Sequence, residues 1–163
     1  MTVRLATLAD AQTLMDMANA QRPIIEAIFG SRDPWTLEFT QKVITRDRAV
    51  YVYESPGIQA FTRVVDADWG EHGVNFFQSQ AGSLAQRTAR FKQACREIGT
   101  RWFDDAIVRG VPLCSFHWLE SERSFSRVQG WDKIGQFGTI AVEDGMVWWK
   151  FTPQQGLAGV ATV

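Results

Sequence analysis

The sequence predicts an α+β fold with a mixed, mostly antiparallel sheet and one long crossover helix. Three observations carry this reading. Segments of β period follow one another through turns too short for crossovers. One long segment of helical period runs from Ser83 to Arg109. The chain then alternates strand, helix and a two-stranded hairpin, so the long helix supplies the single crossover.

Taken in order, Thr2 to Ala6 reads as a first strand. Thr7 is placed to cap a helix, with Asp10 three residues on to favour its positive end. Leu8, Ala11, Leu14, Met15 and Ala18 follow at helical spacing. Pro23 is expected to break or restart this helix, and Ile24, Ile25, Ile28 and Phe29 form an apolar stripe up to Gly30. Asp33-Pro34 reads as a second start, Asp as cap and Pro in the first turn, with Trp35, Phe39, Val43 and Ile44 as the buried face.

From Arg48 the period changes. Ala49 to Tyr53 and Ile58 to Val65 are strands around the turn Ser55-Pro56-Gly57. Asp68 to Gly73 reads as a polar turn before a third strand, Val74 to Gln78. The long helix follows, with Leu84, Phe91, Cys95, Ile98, Trp102 and Ala106 on one side and Gly110 as its C-terminal cap. Leu113 to Leu119 is a strand, and a helix from about Ser121 to Ile134 closes at Gly135. The hairpin Phe137 to Val142 and Met146 to Phe151 turns at Asp144-Gly145. Residues 1–151 are expected to form a single domain, and the uncharged residues 152–163 a flexible arm.

Composition narrows the function classes. The 163 residues carry 17 basic and 18 acidic side chains, a net charge of −1, and 45 % are hydrophobic. A packed soluble domain is implied, and wholesale disorder or a chain built mainly to wrap nucleic acid is not. No run of 18 apolar residues occurs, and the first residues lack signal-peptide features. Cys95 and Cys114 cannot form a disulfide framework by themselves, and a Cys/His metal cluster would need both of them with His72 and His117, so no metal is expected. There are seven Trp but only two Tyr, Tyr51 and Tyr53.

The element order resembles that of the GNAT superfamily of N-acetyltransferases. Val3 to Ala11 is similar to the family's first strand and helix, and Val128 to Gly135 to its last helix. The resemblance implies an acetyl-CoA site whose loop, before the crossover helix, runs Arg or Gln, two residues, Gly, one residue, then Gly or Ala. Its physical basis is the helix N-terminus, where N–H groups and the dipole hold phosphates. Here the linking stretch is Ser79-Gln80-Ala81-Gly82-Ser83-Leu84, with one Gly, and Gln78, Ser79, Gly82 and Ser83 are the candidate loop residues. Counting back from Gly110 instead sets Ala94 to Gly99 on the pattern, with Glu97 at a glycine position. The resemblance also implies a Tyr in the last helix to protonate the departing thiolate. Trp131 falls there, and an indole has no such proton; Ser124 stands where the family's Asn opens that helix.

A narrower resemblance fits these departures. Residues 74–137 look like the small internal virion proteins of short-tailed phages, which resemble GNAT domains without the acetyl-CoA loop. The matching features are Phe76-Phe77-Gln78-Ser79, the long helix with Arg87, Arg90, Lys92 and Arg96 in its first half, and the strand Ser115 to Leu119. It implies a non-catalytic virion or assembly protein, in the virion or host cytoplasm, with no cofactor. Its partner surface would be those four basic residues together with Trp148 and Trp149, which alternate on the last strand. Two other classes stay open. One is an N-acyltransferase using acetyl-CoA through a divergent loop, and the other, weaker, is a nucleic-acid contact through the basic half-helix. Glu71 and His72 are read as solvated turn residues, and His117 as a structural histidine. An open cleft with free N–H groups beside the long helix would favour the enzyme, and a filled one the binding protein.

Overall fold

A computed structural model describes residues 2–68, 70–118, 135–143 and 146–153, and from Leu113 on it describes the backbone alone. Backbone packing divides the chain into two compact units, Met1–Val64 with Asn75–Ile98 and Val65–Val74 with Gly99–Val163.

In the first unit, strand β1 (Thr2–Leu5) pairs antiparallel with β2 (Ala49–Glu54), and β2 with β3 (Ile58–Ala67). Val50, Tyr51, Val52 and Tyr53 are all buried, which explains why β2 reads as an unbroken apolar run rather than an alternating one. A short 3-10 helix, Leu8–Asp10, leads into α1 (Ala11–Phe29), and α2 (Leu37–Arg46) follows. Leu14, Met17 and Ala18 of α1 and Val43 of α2 pack with Val50, Val52, Phe61 and Phe77 into one apolar cluster. Phe61 and Phe77 stack at 4.6 Å between ring centres, and the Trp35 ring meets Phe77 edge-on at 5.2 Å. Burying each such ring contributes about 2 kcal/mol.

Two expectations are corrected here. Pro23 lies inside α1, which runs on to Phe29. The ring removes one N–H from the ladder, and the helix carries that loss because its apolar face is anchored on both sides of it. α2 starts at Leu37 with Thr36 as its cap, not at Asp33-Pro34: the Thr36 hydroxyl accepts from Phe39 N at 3.1 Å. Trp35 is held outside the helix by Asn19, whose Oδ1 accepts from Trp35 N at 2.7 Å and whose Nδ2 donates to Trp35 O at 2.9 Å. Phe39 is correspondingly exposed, while Thr40 and Val43 are buried.

Strand β4 (Gly70–Gln78) and helix α3 (Leu84–Arg109) run through both units. In the second unit the strand order is β4-β5-β7-β6, with β5 at Leu113–Trp118, β6 at Gly135–Glu143 and β7 at Met146–Pro153. β4 pairs parallel with β5 at Glu71↔Leu113 and His72↔Cys114, and the other pairs are antiparallel. α3 ends as expected at Gly110, whose φ of 68° closes a Schellman turn: Gly110 N donates to Ile107 O, and Val111 N to Ala106 O. β7 extends two residues beyond Phe151, pairing Thr152 with Gln136 and Pro153 with Gly135. Residues 154–163 of the expected arm, and the expected helix before Gly135, lie outside the described residues.

The helical stripe read along α3 holds for Ile98, Trp102 and Ala106, which are buried, but not for Leu84, 72 % exposed, or Phe91, 42 % exposed. At 100° per residue these five positions stay within about 80° of one another, so they share a face of the helix, and its exposed part is the N-terminal part.

Candidate functional site

The junction of β4 and α3 lies where the sequence placed it. Ser79 N donates to Gln59 O at 2.8 Å, one last cross-strand bond before the chain turns. Gly82 makes the turn at φ 88°, and a Cβ there would come within 2.6 Å of Gln86 Oε1. Ser83 then caps α3 reciprocally: its N–H donates to Gln86 Oε1 at 2.8 Å and its Oγ accepts from Gln86 N at 3.2 Å. The counting from Gly110 is overturned, because Ala94 to Gly99 is mid-helix and Glu97 accepts from Gln93 Nε2 within it.

Once α3 is known to start at Leu84, the loop pattern implied by the resemblance falls on Gln80-Ala81-Gly82-Ser83-Leu84-Ala85. Gln80 and Ala85 satisfy its first and last positions, and Ser83 stands at the inner glycine. Gln80 was the signal missed in the sequence.

Side chains of α3 brace this loop. Arg90 Nη1 donates to Ser79 O at 2.7 Å and Nη2 to Ala81 O at 3.0 Å, while Arg87 Nη1 donates to Gln80 Oε1 at 3.2 Å. Two of the four basic residues read as partner-facing therefore turn onto the chain's own loop. Lys92 and Arg96 are exposed. No acidic residue occupies the first turn of α3. The positive end of the dipole and two guanidinium groups thus reinforce one another, an arrangement that disfavours the empty helix end and favours an anion.

The second unit holds a different cluster. Glu71 was expected to be solvated in a turn; it is 1 % exposed, on a strand. Its carboxylate accepts from Trp102 Nε1 at 2.8 Å and, in bidentate fashion, from Arg109 Nε and Nη2, each at 2.7 Å. The strand begins at Gly70 rather than Val74 because Glu71 N donates to Pro112 O, and Gly70, at φ 132°, abuts that carbonyl where a side chain would collide. His72 is also drawn partly out of water, which lowers its pKa. Burial pushes the Cys95 thiol up to about 12.

Trp148 and Trp149 occupy register positions opposite Phe116 and Ser115 of β5, and His117 pairs with Val147. Trp131 and Ser124 lie outside the described residues. Among the described residues, no group of three metal-ligating side chains converges, and no helix is long and apolar enough to cross a membrane.

No protein-family model and no curated protein matches the chain. Solved structures do. The chain superposes on yncA from Salmonella typhimurium, described as a candidate acetyltransferase and solved with its cofactor acetyl-CoA. The TM-score is 0.65 and the identity 14 %, over 94 % of each chain. The ribosomal-protein-alanine N-acetyltransferase of Brucella melitensis gives 0.62 and 16 %, over 92 % of this chain and 98 % of that one. The PaiA N-acetyltransferase of Thermoplasma acidophilum, solved with coenzyme A, gives 0.58 and 11 %, over 94 % and 98 %. The chain has the GNAT acetyltransferase fold. Within that GNAT frame, the β4–α3 junction is the segment whose chemistry the chain's own residues define most fully.

Proposed function

We propose that this chain binds an acyl-CoA at the β4–α3 junction and acts as an N-acyltransferase with a divergent loop. The observation that carries the reading is the electropositive start of α3: an acid-free first turn, Gly82 with no side chain, and Arg87 and Arg90 at the loop. With the Ala81 and Ser83 N–H groups taken by Ser79 Oγ and Gln86 Oε1, the backbone N–H groups of Gln80, Gly82, Leu84 and Ala85 would hold the diphosphate, and the two solved structures that carry acetyl-CoA or coenzyme A share the fold. The bound group supplies an acyl carbon activated as a thioester.

Calorimetric titration with acetyl-CoA tests this directly. Binding in the micromolar range is expected, weakened by Gly82→Pro, with free CoA released in the presence of an amine acceptor from a broad panel. Absence of binding at millimolar ligand would sink the reading.

The second reading is a non-catalytic GNAT-like phage virion or assembly protein acting through protein contacts. It is favoured by the capping box, in which Gln86 and Ser83 already occupy two N–H groups at the start of α3, and by Trp131 at the position of the implied Tyr. Lys92 and Arg96 in the first unit and, separately, Trp148 and Trp149 in the second would then carry partner contacts. The same titration separates the two, because this reading expects no heat with acetyl-CoA.

A further inference from the structure

Strand register in the second unit sets a histidine, a cysteine and a lysine in one row across the sheet. β4 meets β5 in parallel with His72 opposite Cys114, and β5 meets β7 antiparallel with Cys114 opposite Lys150. Residues in direct register on neighbouring strands share a face, with Cβ atoms about 5 Å apart. The three therefore occupy consecutive positions of one row, with the cysteine in the middle. The row ends on β6 at Gly138, which is in register with Lys150 and carries no side chain.

Glu71 decides which face this is. Its carboxylate bonds Trp102 and Arg109 of α3, so its own face of β4 is turned to that helix, and His72, the next residue, belongs to the opposite face. Cys114 and Lys150 join it there by register. β7 lies between β5 and β6, and lysine is almost never fully buried unless it is paired. A lysine on so central a strand argues against a sealed apolar face. A cysteine with a histidine and a lysine as its register neighbours has the two residue types that make a thiol reactive: a cation favours the thiolate, and an imidazole accepts the proton. Partial burial lowers the pKa of His72, which favours its neutral, proton-accepting form. Cys95 is the contrast within the same chain, since burial pushes its thiol up to about 12. Nothing in the linear sequence announces the row, because its members come from three strands aligned only by backbone pairing.

We propose that the row His72–Cys114–Lys150 makes Cys114 a nucleophilic thiol that exchanges with small-molecule disulfides, His72 taking its proton and Lys150 supplying the counter-charge of the thiolate. Such exchange needs only a thiolate, a route for its proton and the disulfide itself. The imidazole takes the thiol proton, and the thiolate attacks one sulfur of the disulfide. A new S–S bond forms as the old one breaks, and the electron pair leaves on the second sulfur, which carries the proton away from His72. Cys114 ends oxidised in a mixed disulfide, and the departing thiol is the reduced product. This chemistry is independent of the acyl-CoA reading and survives its failure.

The test uses the full chain at neutral pH with dithiobis(nitrobenzoate), whose coloured thiolate reports each exchange, and with oxidised glutathione, whose adduct is located by peptide mass mapping. In urea both cysteines react as ordinary thiols, which supplies the reference rate. In the folded chain Cys114 should exchange at least about threefold faster than in urea, and Cys95 should react only on unfolding. Oxidised glutathione should leave a single adduct, on Cys114. His72→Gln and Lys150→Gln should each bring the folded rate back toward the urea value, whereas Lys150→Arg, which restores the charge, should keep it. A wild-type Cys114 that exchanges more slowly folded than unfolded overturns the proposal without recourse to any variant. So does an unchanged rate in both His72→Gln and Lys150→Gln.

Discussion

At the start of α3, Arg90 donates to two carbonyl groups of its own loop, and at the end of the same helix Arg109 donates to the buried carboxylate of Glu71. The two arginines make bonds of similar length with opposite electrostatic results. Carbonyl oxygens are dipoles, so Arg90 braces the loop and keeps its full positive charge at the positive end of the helix dipole. Arg109 is neutralised by a bidentate partner and leaves no field behind, and it sits at the negative end of the dipole, where a cation is welcome. Charge is cancelled at one end of the helix and left standing at the other.

The comparison breaks most easily at Glu71. Glu71→Ala leaves the Trp102 N–H and the Arg109 guanidinium without their carboxylate, and removing one member of a buried ion pair costs about 3 kcal/mol. Urea denaturation should show this as a lower midpoint with an unchanged slope. Glu71→Gln keeps a carbonyl acceptor but loses the charge, and should cost about half as much. A loss below about 1 kcal/mol for Glu71→Ala would mean that the carboxylate is not the anchor its burial indicates.

How much of this was legible depends on the distance over which each feature is decided. The ends of α3 were readable at Ser83 and Gly110 because caps are settled by residues within one turn. So was β2, whose apolar run needs no partner to be recognised. Glu71 was missed because Trp102 and Arg109 lie 31 and 38 positions away, and because Gly and charged neighbours around it imitate a turn. The start of α2 was misplaced for a similar reason: Asn19, in another helix, captures the Trp35 backbone and leaves Thr36 to cap. At the junction the loop itself was legible, but Gln80 became meaningful only once the first residue of α3 was fixed. The inward turn of Arg87 and Arg90 depends on the path of the loop at Gly82, which charge patterning does not encode.

Arg90 gives the next smaller effect. Arg90→Met keeps the aliphatic stem and removes both donors to Ser79 O and Ala81 O. Because those carbonyls lie beside water, which replaces the lost donors, the global cost should be about 1 kcal/mol. The local consequence is larger: hydrogen exchange at the Ala81 and Ser83 amides should accelerate well beyond the change in global stability. Equal changes at the loop and in the core would show that the loop is not a separately opening element, and would remove the contrast with Arg109.

Arg4 sharpens the comparison from a third position, since its guanidinium meets carboxylates at the surface. It bonds both oxygens of Asp10, at 2.8 and 2.9 Å, and Glu54 Oε1 at 2.7 Å. Asp10 also accepts from Thr7 N at 2.7 Å, and its carboxyl is held down at about 2 against an ordinary 3.8, chiefly by the hydrogen bonds from Arg4. The folded chain therefore binds this proton less readily than the unfolded chain does. The stabilisation is fully present above about pH 4 and is lost as the pH falls from 4 toward 2. Solvent screening of the partly exposed Arg4 limits it to about 1 kcal/mol. In denaturant titrations across that window, Asp10→Asn should be less stable than wild type at pH 6 by this amount and should converge on it near pH 2. A difference that persists undiminished at pH 2 would assign the effect to the shape of the Thr7 cap rather than to the charge, and the surface pair would then differ from the Glu71–Arg109 pair in kind as well as in exposure.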